Sequence, residues 1–177
     1  PAVALWLLCA VAGATAVAVV EVGAVSLAVS FRLEPGLGAL FALVLCAGAI
    51  AGGVWVSVRN RMSRTGAAAL YLAATATGAW VVAGGWSPLA TGCGALVIGF
   101  FIPLLSTHYS LVVDVLVPLE RRAEAFALLR AASSVGFIVT SGILAVAGLR
   151  AAQLVSGSLV VLAALAVAGS AIAARAR

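Results

Sequence analysis

Long uncharged stretches separated by short clusters of charge organise this chain. Pro1 to Val20, Pro35 to Val58, Thr65 to Thr107, Ala131 to Leu149 and Ala151 to Ala174 contain no Asp, Glu, Lys or Arg. A helix rises 1.5 Å per residue and needs roughly 20 residues to cross about 30 Å of hydrocarbon. Most of these stretches have that length. The one from Thr65 to Thr107 is about twice as long, and Gly84-Gly85-Trp86-Ser87-Pro88 interrupts it with a turn signal. The pattern predicts six helices, near residues 2–30, 37–58, 66–84, 89–113, 122–148 and 151–173. Strands are excluded on physical grounds: an open sheet leaves unpaired backbone groups in lipid, and barrel strands are much shorter than these runs.

Composition sharpens this into a membrane protein. The chain is 65% hydrophobic and 8% charged, with a mean hydropathy of +1.27. Soluble domains are about 45–50% apolar and about 25% charged. The net charge of +5 would suit nucleic acid if it formed one patch, but the arginines sit between apolar runs and no nucleic-acid partner is expected. Their placement orients the spans instead. Arg59, Arg61, Arg64, Arg121, Arg122, Arg175 and Arg177, with Arg130 just inside, fall on the side where the chain starts, and only Arg32 and Arg150 fall on the other. The positive-inside rule then puts both termini in the cytoplasm of a multi-pass cell-membrane protein. Trp6 and Trp55 are expected at the inner interface and Trp86 at the outer one, as an aromatic belt.

Cys9, Cys46 and Cys93 are isolated within apolar runs, with no disulfide framework or metal spacing, so neither a metal nor a cofactor is expected. The chain opens on Pro1 with no basic leader and short apolar core, which is unlike a signal peptide. It is expected to be a fragment or a trimmed product. Small residues recur at four-residue spacing, as in Gly48 and Gly52 and in Ala132, Gly136 and Thr140, a pattern that lets helices approach closely where lipid gives no hydrophobic drive. Phe41-Ala42-Leu43 and Phe126-Ala127-Leu128 lie 85 residues apart and each opens a small-residue-rich span. Two three-helix units are the implied arrangement.

The segment from Gly99 to Ala145, GFFIPLLSTHYSLVVDVLVPLERRAEAFALLRAASSVGFIVTSGILA, resembles the tenth and eleventh transmembrane helices of major facilitator superfamily transporters. The shared features are Gly99 and Pro103 early in one helix, Asp114 at its end, Pro118, the Arg-Ala-Glu-Ala-Phe start at Arg122 to Phe126 and a Gly-rich continuation. The loop from Arg59 to Gly66 is similar to the family's basic loop between helices eight and nine. It keeps Gly53 and the arginines, with Val58 where an acid is expected and Arg61 where a glycine is common. The resemblance extends over the whole chain as helices seven to twelve. It implies an all-α integral membrane bundle, half of a twelve-helix fold, that works with an N-terminal six-helix half by alternating access. Within that class the leading expectation is a proton-coupled exporter of small organic molecules.

Ionisable groups inside spans cost roughly 2.5–3.5 kcal/mol on insertion scales, so each is a candidate. Glu21, in the outer part of the first helix, is either a proton carrier or site for a cationic substrate group, or an interfacial residue where the first helix ends near Val20. His108, the single histidine, is flanked by Ser106, Thr107 and Tyr109 and is either a proton relay or a packed, satisfied core residue. Asp114 needs a cation nearby, for which Arg59 or Arg61 of the preceding inner loop is the natural partner. The resemblance implies that such an acid–arginine contact latches the cytoplasmic side. Arg130, two turns into the fifth helix, either lines the cavity as an anion site or snorkels back to the cytoplasm. Ser133, Ser134, Thr140 and Ser141 either face a polar cavity or bond their own helix backbone. An intramembrane enzyme is disfavoured, since the chain has neither a GxSG nor an HExxH motif. A non-catalytic assembly or regulatory subunit is the alternative from another class.

Overall fold

A computed structural model describes residues 2–59 and 65–175. Arg61 lies outside the described residues, as does the side chain of Arg59. Within them the chain is helical throughout: α1 (Ala2–Glu21), α2 (Ala24–Ser30), α3 (Gly38–Arg59), α4 (Thr65–Gly84), α5 (Pro88–Leu116) and α6 (Arg122–Arg175). Five of the helical stretches are long and apolar enough to cross a membrane. This is a multi-pass helical membrane bundle, as the apolar runs require.

Two breaks refine the expected boundaries. The first predicted helix, 2–30, is two pieces, because α1 stops at Glu21 and α2 begins at Ala24. Gly23 packs there against the Val19 carbonyl and the Leu149 side chain with no room for a Cβ. The predicted fifth and sixth helices abut without a loop. In α6 a single non-helical residue, Gly148 at φ 81° and ψ 178°, separates arms 122–147 and 149–175. That conformation is essentially restricted to glycine. It folds the second arm back along the first, so that Gly136 of one arm and Ser156 of the other both lie beside Thr15 of α1.

The helices pair in a definite pattern: α1 with both arms of α6, α3 with α5, and α4 with α5 and the second arm of α6. One end of the bundle gathers Gly23, Gly38, Gly84 and Gly148. There Arg150 Nη1 donates to the Ala83 carbonyl and Gln153 Nε2 donates to the Val82 carbonyl at 3.2 Å. A cation on the last carbonyls of α4 suits the negative end of its dipole. The other end gathers the start of α1, the end of α5 and the start of α6, as the packing of Trp6 on Tyr109 and the pairing of Asp114 with Arg122 mark.

The core is built from small side chains. Cys9, Ala12, Ala16 and Val20 of α1, Leu72, Ala76 and Val82 of α4, and Ala152, Val160 and Val167 of α6 are buried. Leu27, Ile98 and Leu105 are buried with them, but many large apolar side chains point outward, with Ile50 70% and Val146 92% exposed. A surface of that kind aggregates in water but matches hydrocarbon.

The small-residue rows mark two crossings built alike. A Cβ on Gly48 would strike the Leu96 carbonyl and the Phe100 amide of α5, and one on Gly136 would strike the Val11 carbonyl and the Thr15 amide of α1. The target pairs lie 85 residues apart. The helices that carry the glycines also begin alike, each after a one-turn 3-10 segment, Pro35–Leu37 before α3 and Leu119–Arg121 before α6. An extended residue precedes each turn, Glu34 in one case and Pro118 in the other.

Candidate functional site: a polar cleft beside Arg130

Where α5 and the first arm of α6 face one another they touch only sparsely. A cleft of ≈ 1060 Å³ opens there. Its α5 wall carries Ser106 and Ser110, one helical turn apart, and its α6 wall carries Arg130, Ser133, Ser134 and Phe137. Spacings of three and four put the members of each row on one helix face. Ser133 and Ser134 donate to the Leu129 and Arg130 carbonyls, each at 3.2 Å, and Ser141 likewise donates to Phe137 at 2.8 Å. These hydroxyls bond their own helix. Ser106 and Ser110 have no protein partner among the described residues.

A smaller pocket of ≈ 210 Å³ continues the cleft toward α1, sharing Ser106, Leu129, Ser133 and Phe137 with it. Tyr109 lines this pocket. It is 4% exposed, and its hydroxyl has no hydrogen-bond partner among the described residues. The sequence reading noted Tyr109 only as a neighbour of His108. The signal that marks it is its register, three residues after Ser106 and so on the same face of α5.

The other candidates sit apart from this cleft. Glu21 is exposed at the break after α1 and lines neither cavity. His108 is buried, with its ring edge-on to Trp6 at 4.9 Å between centroids, and it too lines neither cavity. Trp6 is itself buried, packed on His108 and Tyr109, which corrects its expected place in an interfacial belt. Trp55 and Trp86 are exposed. Asp114 pairs with Arg122, Oδ1 to Nη1 at 2.7 Å, while Arg122 Nε donates to the Val117 carbonyl at 3.3 Å. Arg122 thus staples the end of α5 to the start of α6, a role the sequence reading did not assign. The expected contact of Asp114 with Arg59 or Arg61 falls outside the described side chains. Arg130 lines the cleft, and among the described residues no carboxylate meets it.

Fold and site together define an α-helical, multi-pass membrane protein with a polar cleft opening between two of its spans. No family model, curated protein or solved structure matches the chain.

Proposed function

We propose that this chain is the six-helix C-terminal half of a secondary transporter of the major facilitator type, moving small organic molecules by alternating access. In this reading it works with an N-terminal six-helix half, sits in the cell membrane with its termini cytoplasmic and couples export to protons. The observation that carries the reading is the repeated crossing. With 2–30 as helix one and the arms of α6 as helices five and six, helix two crosses helix four on Gly48, and helix five crosses helix one on Gly136. Exchanging helices one, two and three for four, five and six maps each crossing onto the other. Helices one and four run in opposite directions through the bundle, so the relation is an inverted repeat, the internal plan of transporter halves. The cleft between helices four and five supplies a polar surface at the side such a half would turn toward its partner, and helices three and six carry no charge within their spans.

The test is flux. The full-length protein, reconstituted in proteoliposomes, is expected to move organic solutes when a pH gradient is imposed and to stop when an uncoupler collapses it. Absence of gradient-driven flux across a broad solute panel, in either gradient direction, would remove the reading. Orientation has its own test. In a variant with Cys9, Cys46 and Cys93 replaced, Ser87→Cys is expected to react with an impermeant thiol reagent added outside intact cells, and Ser63→Cys is not. The reverse pattern overturns the topology.

A further inference from the structure

We propose that the cleft between α5 and the first arm of α6 binds a small organic anion, a carboxylate, sulfonate or phosphate carried on an apolar body, with Arg130 as its counter-charge. The assignment deepens the transporter reading and rests on it only for what happens to the ligand afterwards.

The first argument is charge. A guanidinium stays protonated and offers five N–H donors and no acceptor. Arg130 lies eight residues beyond Arg122, about 12 Å along the helix at 1.5 Å per residue. A cation at such a depth is costly unless it is neutralised or wetted. The described acids do not neutralise it. Asp114 is engaged with Arg122, Glu21 is at the opposite end of the bundle, and Glu124 is six residues away on its own helix, on a different face. The walls of the cleft hold no Asp or Glu. A ligand that supplies the missing negative charge completes the site, and a cationic ligand meets only repulsion there.

The second argument is the sense of the hydrogen bonds. The Ser106 and Ser110 hydroxyls, opposite Arg130, keep their protons free for a ligand oxygen. The Tyr109 hydroxyl is buried without a partner among the described residues, in a residue that lines the adjoining pocket. A buried hydroxyl without a partner is destabilising, and structures tolerate one where a ligand or water meets it. Three free hydroxyls and one guanidinium form a set of donors suited to oxygens that only accept. Between them Phe126, Leu129, Phe137 and Ile138 present apolar surface, which selects an anion with a hydrocarbon or aromatic body over an inorganic one.

The experiment uses purified full-length protein in detergent, with no gradient present. The probes are benzoate, benzenesulfonate and phenyl phosphate, set against benzyl alcohol and benzylammonium. The anions are expected to raise the thermal unfolding midpoint in a saturable way, and the neutral and cationic probes are not. Arg130→Gln is expected to abolish the anion response and Arg130→Lys to keep part of it, since Lys retains the charge without the fork of donors. Tyr109→Phe is expected to weaken anion binding about fivefold or more, while unfolding no earlier than wild type in the absence of ligand, because it removes an unmet hydroxyl. An anion response that persists undiminished in Arg130→Gln, a preference for benzylammonium, or no response to any of the three anions would overturn the assignment. Flux measured on the same preparation separates the two readings. Anion binding without gradient-driven flux keeps the site and removes the transporter, and flux without anion binding does the reverse.

Discussion

Helix α5 has two walls of opposite character. Toward α3 it is closed: Gly48, Gly52 and Gly99 bring backbone against backbone, so that a Cβ on Gly52 would run into the Phe100 carbonyl and one on Gly99 into that of Leu45. Toward the first arm of α6 it is open, and serines, an arginine and two phenylalanines line a cleft of ≈ 1060 Å³. Without a hydrophobic drive between helices in lipid, the depth to which backbones can interpenetrate decides which seams close. Glycine rows close one seam of this bundle. Side chains that are long, or polar enough to hold water, leave the other ajar.

The sharpest way to break that comparison is to fill the closed seam. Gly52→Leu and Gly99→Leu each force a side chain against a carbonyl that belongs to a helix and cannot swing aside. Overpacking of this kind costs about 3 kcal/mol or more where the backbone must move. The expected outcome is loss of folded protein in detergent, read as yield and unfolding midpoint. Gly142, whose Cβ would meet nothing within 4 Å, is the control, and Gly142→Ala is expected to stay within about 0.5 kcal/mol of wild type. Equal tolerance at Gly52 and Gly142 would mean that the α3–α5 seam is not the tight one.

The hinge between the arms of α6 comes next. At φ 81° and ψ 178° Gly148 occupies backbone space that an L side chain enters only with strain of about 1–3 kcal/mol. Gly148→Ala is expected to lower stability by that amount in a denaturant titration, with the helix content of the folded form unchanged. An unaltered midpoint would show that the reversal is set elsewhere.

Much of this was legible because charge and turn residues punctuate the chain. The turn at Gly84 to Pro88 and the boundary near Gly148 were readable from the placement of turn residues and of Arg150, and the packing use of the Gly48 and Gly136 rows from their four-residue spacing. The break at Val22 and Gly23 was half legible: a first helix ending near Val20, with Glu21 at the interface, stood as the alternative to one helix over 2–30, and the apolar residues that resume after Gly23 favoured the longer helix. Trp6 misled for a related reason. Position near a helix end suggests an interface, but its ring is claimed by His108 and Tyr109 of a helix a hundred residues further on. The cleft was half legible. Arg130 stood out as a charge inside a span, whereas its facing partners Ser106, Ser110 and Tyr109 acquire meaning only once α5 is set opposite α6.

Asp114, one helical turn after Ser110, and Arg122, one before Phe126, form a pair whose side chains remain 47% and 33% exposed. Screening limits such a pair to about 0–1 kcal/mol, so Asp114→Asn is expected to change the unfolding midpoint little. Its effect is expected in flux, because Arg122 also holds the Val117 carbonyl and the pair joins the two helices that wall the cleft. Wild-type flux in the asparagine variant would confine the pair to a surface ornament of the turn.

The smallest effect is expected on the open wall itself, and it completes the comparison with Gly52. Ser134 is exposed and its hydroxyl serves only its own helix, donating to the Arg130 carbonyl at 3.2 Å. Ser134→Ala removes a group that competes with the helix backbone and installs a better helix former, so stability is expected to shift by less than about 0.5 kcal/mol. Ser134→Leu is the more telling variant, since it introduces the same side chain that Gly52→Leu does, into a seam with room for it. It is expected to fold with a near-native midpoint and to narrow the cleft, measured as weaker binding of benzoate. If it unfolds as Gly52→Leu does, the two walls of α5 are equally tight, and helix separation in this bundle does not follow from which rows carry glycine.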